Sequence, residues 1–264
     1  MKDLTSIFDN FSPWKIDYSP ILISLKMRIV SFNVHYFTTR DETPSFPSIL
    51  DDILQLDPDI VCLQEVSFIP QVSQLKEAFP FYVSNILCNY RGYPFGNMLL
   101  SKTKMTNEKS GKLYKGATKI PRGYILCEVG GINIATVHLD VFDENIPSRK
   151  QKVLVRHIQV QELLAMLPPK CILCGDFNTI LASDYSKQRL GEIQEIDTKR
   201  GVVTDMDTIP LVLGDGFERV GGVPEKTVWS ERVVDFFFAR GIAVKSGGVL
   251  ETDSSDHYAI YIDL

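Results

Sequence analysis

No stretch of the chain has the length and apolarity of a membrane span. The apolar run nearest the start, Ile21 to Leu25, is short and follows acidic Asp3, Asp9 and Asp17, so no secretory leader is expected. Positive charge is also in deficit. With 28 Lys and Arg against 33 Asp and Glu, the net charge is −5, the wrong balance for a protein that coats nucleic acid without specificity. An enzyme that neutralises a phosphate locally through a metal ion remains compatible with it. Cysteine is sparse and odd in number. Cys62, Cys88, Cys127, Cys171 and Cys174 fall mostly inside apolar, strand-like runs and read as reduced, buried thiols. Cys171 and Cys174 have C-x-x-C spacing, but an offset of three puts them on opposite faces of a strand. Four histidines leave few further ligands for a zinc cluster. No repeat and no low-complexity linker is present. The expectation is a soluble, intracellular, monomeric protein.

Apolar residues are plentiful, at 44%, enough for a sizeable core in 264 residues. Residues 1–26 are mixed and irregular and read as an extension; 27–264 read as a single domain. Short apolar runs predict strands at Met27–Phe32, Asp59–Leu63, Phe81–Leu87, Asn97–Ser101, Val233–Ala239 and Tyr258–Ile262. Tyr124–Val129 and Ile132–Leu139 flank Gly130-Gly131, a two-residue hairpin signal. Helical spacing marks Ser48–Leu56, a Gln- and Lys-rich segment ending near Ala78, and above all Ser148–Leu167, closed by Pro168-Pro169. Arg91–Phe95 reads as a turn, Lys102–Arg122 as a polar, lysine-rich loop, and 180–230 as weakly periodic and loop-rich. Ten or so strands with a few helices between them predict one α/β domain, sheets inside and helices outside.

The chemistry concentrates at Lys170–Asn178, Lys-Cys-Ile-Leu-Cys-Gly-Asp-Phe-Asn. A buried strand ends at Gly175, which is expected to let the backbone turn. Asp176 and Asn178 follow, two apart and so facing one point from the strand end. An acidic oxygen and an amide aimed together suit a held water nucleophile, although an Asp/Asn turn after a strand has the same composition. The same placement recurs along the chain. Asn33, Glu65, His138, Asp235, Asp256 and His257 also stand where an apolar strand meets a loop, the usual location of sites in layered α/β proteins. Any one of them alone would be an ordinary structural polar residue; eight in one pattern are not.

These motifs, in their order, resemble the endonuclease/exonuclease/phosphatase superfamily, the deoxyribonuclease I-like fold. They are Ser-Phe-Asn33-Val, Leu-Gln-Glu65-Val, Gly96-Asn97, Val-His138-Leu, Gly-Asp176-Phe-Asn178, Val-Asp235-Phe and Ser-Asp256-His257, with Arg156-x-x-Gln159 on the long helix. The segments Leu63–Glu77, His138–Asp140 and Arg232–Arg240 look somewhat like the tyrosyl-DNA phosphodiesterases of that superfamily. The resemblance implies a four-layer α/β/β/α sandwich and in-line attack of water on phosphorus, supported by Mg²⁺ with Mn²⁺ as a substitute. It implies Glu65 as a metal ligand, with Asn33 and Asp256 completing or supporting that shell. Asp176 would orient or deprotonate the water, with Asn178 steadying it. Asp235 would pair with His257, His138 would be a further donor or acid, and Asn97 and His35 would contact substrate. Where many members carry an acidic residue two after the first Asn, this chain has His35, which sets it apart from the abasic-site endonucleases.

Three functions compete. The first is a metal-dependent phosphodiesterase acting on nucleic acid or nucleic-acid ends. The second is a phosphatase or phospholipase acting on inositol phosphates or phospholipid head groups. Against it, Gly175-Asp-Phe-Asn-Thr lacks a Tyr-Arg continuation, Ser230–Asp235 lacks Trp-Cys-Asp-Arg, and no arginine cluster is evident for a dianionic monoester. The third is a non-catalytic binding module on the same fold, which the full set of acidic and histidine residues disfavours.

Overall fold

The structure, a computed structural model, describes residues 27–115, 120–141, 149–201, 203–222 and 224–264, so the expected N-terminal extension lies outside it. Two six-stranded mixed sheets form the body. The first sheet holds β1 (Arg28–Asn33), β2 (Ile60–Ser67), β3 (Phe81–Tyr90), β4 (Tyr93–Ser101), β11 (Ser246–Leu250) and β12 (Ala259–Asp263), in the order β11-β12-β1-β2-β4-β3. The second holds β5 (Met105–Lys112), β6 (Gly123–Val129), β7 (Ile132–His138), β8 (Cys171–Asp176), β9 (Glu218–Arg219) and β10 (Asp235–Arg240), in the order β5-β6-β7-β8-β10-β9.

Each sheet has one parallel pair at its centre, β1–β2 and β7–β8. Strands buried on both faces should be apolar without alternation, and Ile60-Val61-Cys62-Leu63 and Cys171-Ile172-Leu173-Cys174 are. The sheets pack face to face through Ile29, Ile60, Cys62, Cys127, Ile134, Ile172, Cys174 and Phe237. Helices α1 (Phe46–Gln55) and α2 (Val72–Ala78) cover the outside of the first sheet. Helices α3 (Arg149–Leu164) and α5 (Thr208–Gly214) cover the second. The result is the four-layer α/β/β/α sandwich. Cys171 packs under the helices and Cys174 between the sheets, so the C-x-x-C pair is split across the strand. Polar contacts also cross between the sheets, among them Gln64 Nε2 donating to Thr136 Oγ1 at 2.9 Å beneath the strand ends. No described helix is long and apolar enough to cross a membrane.

Several local expectations needed correction. The polar stretch after Lys102 contains β5, an exposed edge strand whose side chains are polar because little covers them. Residues 180–230 contain α4 (Lys187–Lys199) and α5, whose short apolar stripes were too weak to register. Arg91 and Gly92 alone, both at positive φ, form the turn, and β4 already begins at Tyr93. Gly175 is not a turn residue. It lies inside β8 with φ +136°, where a Cβ would sit 1.9 Å from Val137 O of the parallel neighbour.

Candidate active site

Strand register assembles the site. His138 at the end of β7 is paired with Asp176 at the end of β8, and Asp176 is paired on its other side with Asp235 at the start of β10. In the other sheet, Asn33 at the end of β1 is level with Gln64, one residue before Glu65. Glu65 occupies a β-bulge between Leu63 and Val66, at φ 57°. A bulge re-aims a side chain that regular pleating would send elsewhere, and left-handed backbone at a non-glycine residue is a strain the surrounding strands must hold. Phe177 drives the last local step. It is fully buried against Phe236 and Phe238, a burial worth about 1.5–3 kcal/mol. Its flanking neighbours Asp176 and Asn178 are thereby turned to the opposite side. Asn178, at φ 50°, closes a turn in which its N–H donates to Asp176 Oδ1 at 2.8 Å.

Asp176 is the hub. Asn33 Nδ2 donates to its Oδ2 at 3.0 Å, His138 Nε2 lies 3.4 Å away and His257 Nε2 3.7 Å away. Burial raises its carboxyl to about 7, the nearby Asp235 pushing the same way and His257 opposing. His257 has Asp235 Oδ2 at 2.9 Å from Nδ1. Burial would lower its pKa, but Asp235 and Asp176 outweigh that and raise it to about 10. His138 goes the other way. It is buried, and burial, Arg122 and His257 all hold it well below the ordinary imidazole range. Arg122 Nη1 is 3.1 Å from its Nδ1. A guanidinium only donates, so Nδ1 is the acceptor and Nε2 carries the proton.

The loop carrying Asp256 and His257 is tied to the strand ends. Ser255 Oγ donates to Asn33 O at 2.8 Å, and Trp229 N–H donates to Asp256 O at 3.2 Å. His35 Nδ1 stands 3.8 Å from Asp256 Oδ1. His35, Tyr36 and Phe37 all have positive φ, anchored by buried Phe37 on Phe46 and by Tyr36 stacked on Tyr90 and Phe95. Arg156 and Gln159 brace the site from behind: Arg156 Nη1 donates to Asp140 O, and Gln159 Oε1 accepts from Asp140 N.

The ends of both sheets open on a cleft of about 430 Å³ lined by Glu65, Asp176, Asn178, Asp256 and His257 with His35 and Tyr36. Asn33, His138 and Asp235 lie buried directly against these residues. Asn97 is the exception. It is buried and gives its amide to Gly123 O, clasping the two sheets away from the cleft lining. The sequence reading missed Tyr36, Arg122, Trp229 and Arg232, all of which line the cleft. It also found no arginine cluster; Arg122, Arg156, Arg200 and Arg232, from separate segments, are among the residues lining the cleft. Only for Arg122, isolated between Pro121 and Gly123 at a strand start, was there a local signal.

The residues fit a hard divalent cation. Glu65 Oε2 and Asp256 Oδ1 are buried carboxylate oxygens without a hydrogen-bond partner among the described residues, the donor type Mg²⁺ takes. Asn33 has its amide nitrogen on Asp176 and its oxygen on His35 N–H, so it supports more than it ligates. Asp176, Asp235 and His257 also present ligand atoms within 4.8 Å of one another, but the His257–Asp235 hydrogen bond accounts for that closeness without an ion.

Comparison with solved structures agrees with this fold. The chain is similar to an endonuclease/exonuclease/phosphatase from Beutenbergia cavernae, with TM-score 0.67 and 18% identity over 90% of this chain and 71% of that one. It is similar to an AP endonuclease from Archaeoglobus fulgidus, with TM-score 0.66 and 15% identity over 89% and 98%. It also resembles a humanized D. rerio TDP2, with TM-score 0.57 and 18% identity over 90% and 98%. No curated protein matches the sequence. Residues 30–257 match the Endonuclease/Exonuclease/phosphatase family, a span running from β1 to His257 itself, and the chain belongs to that family of hydrolases.

Proposed function

We propose that the protein is a Mg²⁺-dependent phosphodiesterase that cleaves nucleic acid or nucleic-acid ends by attack of water. One observation carries the reading: a buried carboxylate, Asp176, held by the amides of Asn33 and Asn178 and flanked by His138 on one side and the Asp235-paired His257 on the other. A base poised at about 7 suits deprotonation of water at physiological pH. Asn33 and Asn178 donate to Asp176 and keep its oxygens aimed. The His257 imidazolium, oriented by Asp235, supplies charge and a proton to a phosphoryl oxygen. His138 donates from Nε2 as a neutral imidazole. Glu65 and Asp256 would hold the cation, which supplies charge neutralisation on phosphoryl and leaving oxygens. The similarity to an AP endonuclease and to TDP2 supports a nucleic-acid substrate.

Monoester hydrolysis is the second reading, and Arg122 favours it: it lines the cleft, and its Nε makes no hydrogen bond among the described residues, with Asp140 Oδ1 at 3.8 Å as its nearest charged neighbour. Arg156 and Arg232 are engaged, Arg156 by Asp205 and Arg232 by Asp197, each at 2.6 Å. A panel of bis-p-nitrophenyl phosphate, p-nitrophenyl phosphate, oligonucleotides and inositol phosphates, with and without Mg²⁺, separates the two. Diesters should be cleaved faster, and Glu65→Ala should abolish the Mg²⁺-dependent rate without unfolding the protein. Activity of Glu65→Ala at saturating Mg²⁺ would overturn the ligand assignment, and faster cleavage of an inositol phosphate than of any oligonucleotide would overturn the substrate.

A further inference from the structure

The residues around Asp176 account for one phosphate, but the rim of the cleft beside Asp256 has a construction of its own. Trp229 lines the cleft and is 42% exposed. It is nevertheless fixed. Its N–H is bonded to Asp256 O, the preceding Val228 bridges to His257, and the Arg40 guanidinium lies 3.6 Å from its ring centroid. Arg40 comes from the loop between β1 and α1, is exposed, and has no carboxylate partner among the described residues. Its guanidinium therefore rests over the indole with no carboxylate competing for its donors. Asp197 and Asp205, which also line the cleft, are already paired with Arg232 and Arg156 and present little net repulsion to an anionic strand.

An indole offers a π surface, and a stacked guanidinium offers forked donors for a phosphate. Side by side, the two match the two ends of one nucleotide. A base within a duplex is stacked by its neighbours and cannot lie on Trp229; an unpaired base can. We infer that Trp229 and Arg40 form a subsite for an unpaired nucleotide adjoining the scissile phosphate, so that the substrate is a single strand or a frayed end and not an intact duplex. This rests on the phosphodiesterase reading and narrows it.

The test uses the full-length protein with Mg²⁺, one labelled oligonucleotide as a single strand and as a blunt duplex, in DNA and RNA versions. The single strand should be cleaved with at least about tenfold higher kcat/KM, given the cost of unpairing. Trp229→Ala should raise KM for the single strand about 5- to 100-fold with a far smaller change in kcat, and Trp229→Phe should recover most of the loss because a ring remains. Arg40→Gln should flatten the slope of log kcat/KM against log salt by about 0.7, one phosphate contact on a single strand. Equal cleavage of the duplex, or an unchanged KM in Trp229→Ala, overturns the subsite. The strand preference of the unaltered protein decides the matter even if a variant fails to fold. Hydrolysis of bis-p-nitrophenyl phosphate with no cleavage of either strand form overturns the subsite and leaves the phosphodiesterase reading standing. Failure on every diester overturns both.

Discussion

His138 and His257 stand on two sides of Asp176 and are driven to different charge states. Both are largely buried, and burial alone would strip the proton from each. On the His257 side, Asp235 at 2.9 Å and Asp176 more than offset it, so the imidazole is cationic at neutral pH. On the His138 side the neighbour is Arg122, whose charge adds to the burial and leaves the ring neutral. The same side chain thus supplies a charge on one side of the cleft and an uncharged donor on the other. What decides is the sign of the partner at Nδ1.

The comparison can be broken at its centre or from either side. The largest effect is expected from Asp176→Asn, which keeps the shape but removes the base both histidines face. The rate on a diester should fall about three to four decades with an unchanged circular-dichroism spectrum. A variant within a few-fold of the parent would reduce Asp176 to a turn residue. Next is Asp235→Asn, which removes the carboxylate holding His257 charged. A loss of about two to three decades is expected, and the alkaline limb of the pH–rate profile should move to lower pH. The same change bears on stability. A histidine raised from 6.5 to about 10 contributes stability that is complete below 6.5 and lost as pH rises through about 10. Asp235→Asn should therefore flatten the decline in thermal midpoint between those values. The smallest effect is expected from Arg122→Met, which leaves His138 chemically intact but frees its tautomer and relieves the suppression of its pKa. A fall of about ten- to a hundredfold in kcat is expected, and the His138 ring should titrate closer to the ordinary range by NMR. An unmoved titration would remove Arg122 from this role.

Much of this was legible in one dimension. Short apolar runs without alternation, such as Ile60–Leu63, have few solutions other than strands buried on both faces. A polar residue ending such a run cannot follow it inward, so Asn33, Glu65, His138 and Asp176 marked the rim before any geometry was known. The Gly130-Gly131 hairpin was equally plain, because two positive-φ residues between strands have one common use. Asn97 shares the strand context of the others but spends its amide on Gly123 O. Nothing local distinguishes an amide that clasps two sheets from one that faces a ligand. Helix α4 and edge strand β5 were missed because both are largely exposed and carry little periodic apolar signal.

The residues that carry charge, and the strands that deliver them, were therefore determined by the sequence itself, since burial of apolar runs and exclusion of polar ends are local consequences of composition. The pairing of those residues was decided only by the tertiary structure. His138, Asp176 and Asp235 are level because of strand register, Glu65 is aimed by a bulge, and Arg122 and Trp229 arrive from segments with no motif of their own. Protonation depends on distance and burial, which exist only after the two sheets have closed on each other, and so the difference between the two histidines has no counterpart in the chain before it folds.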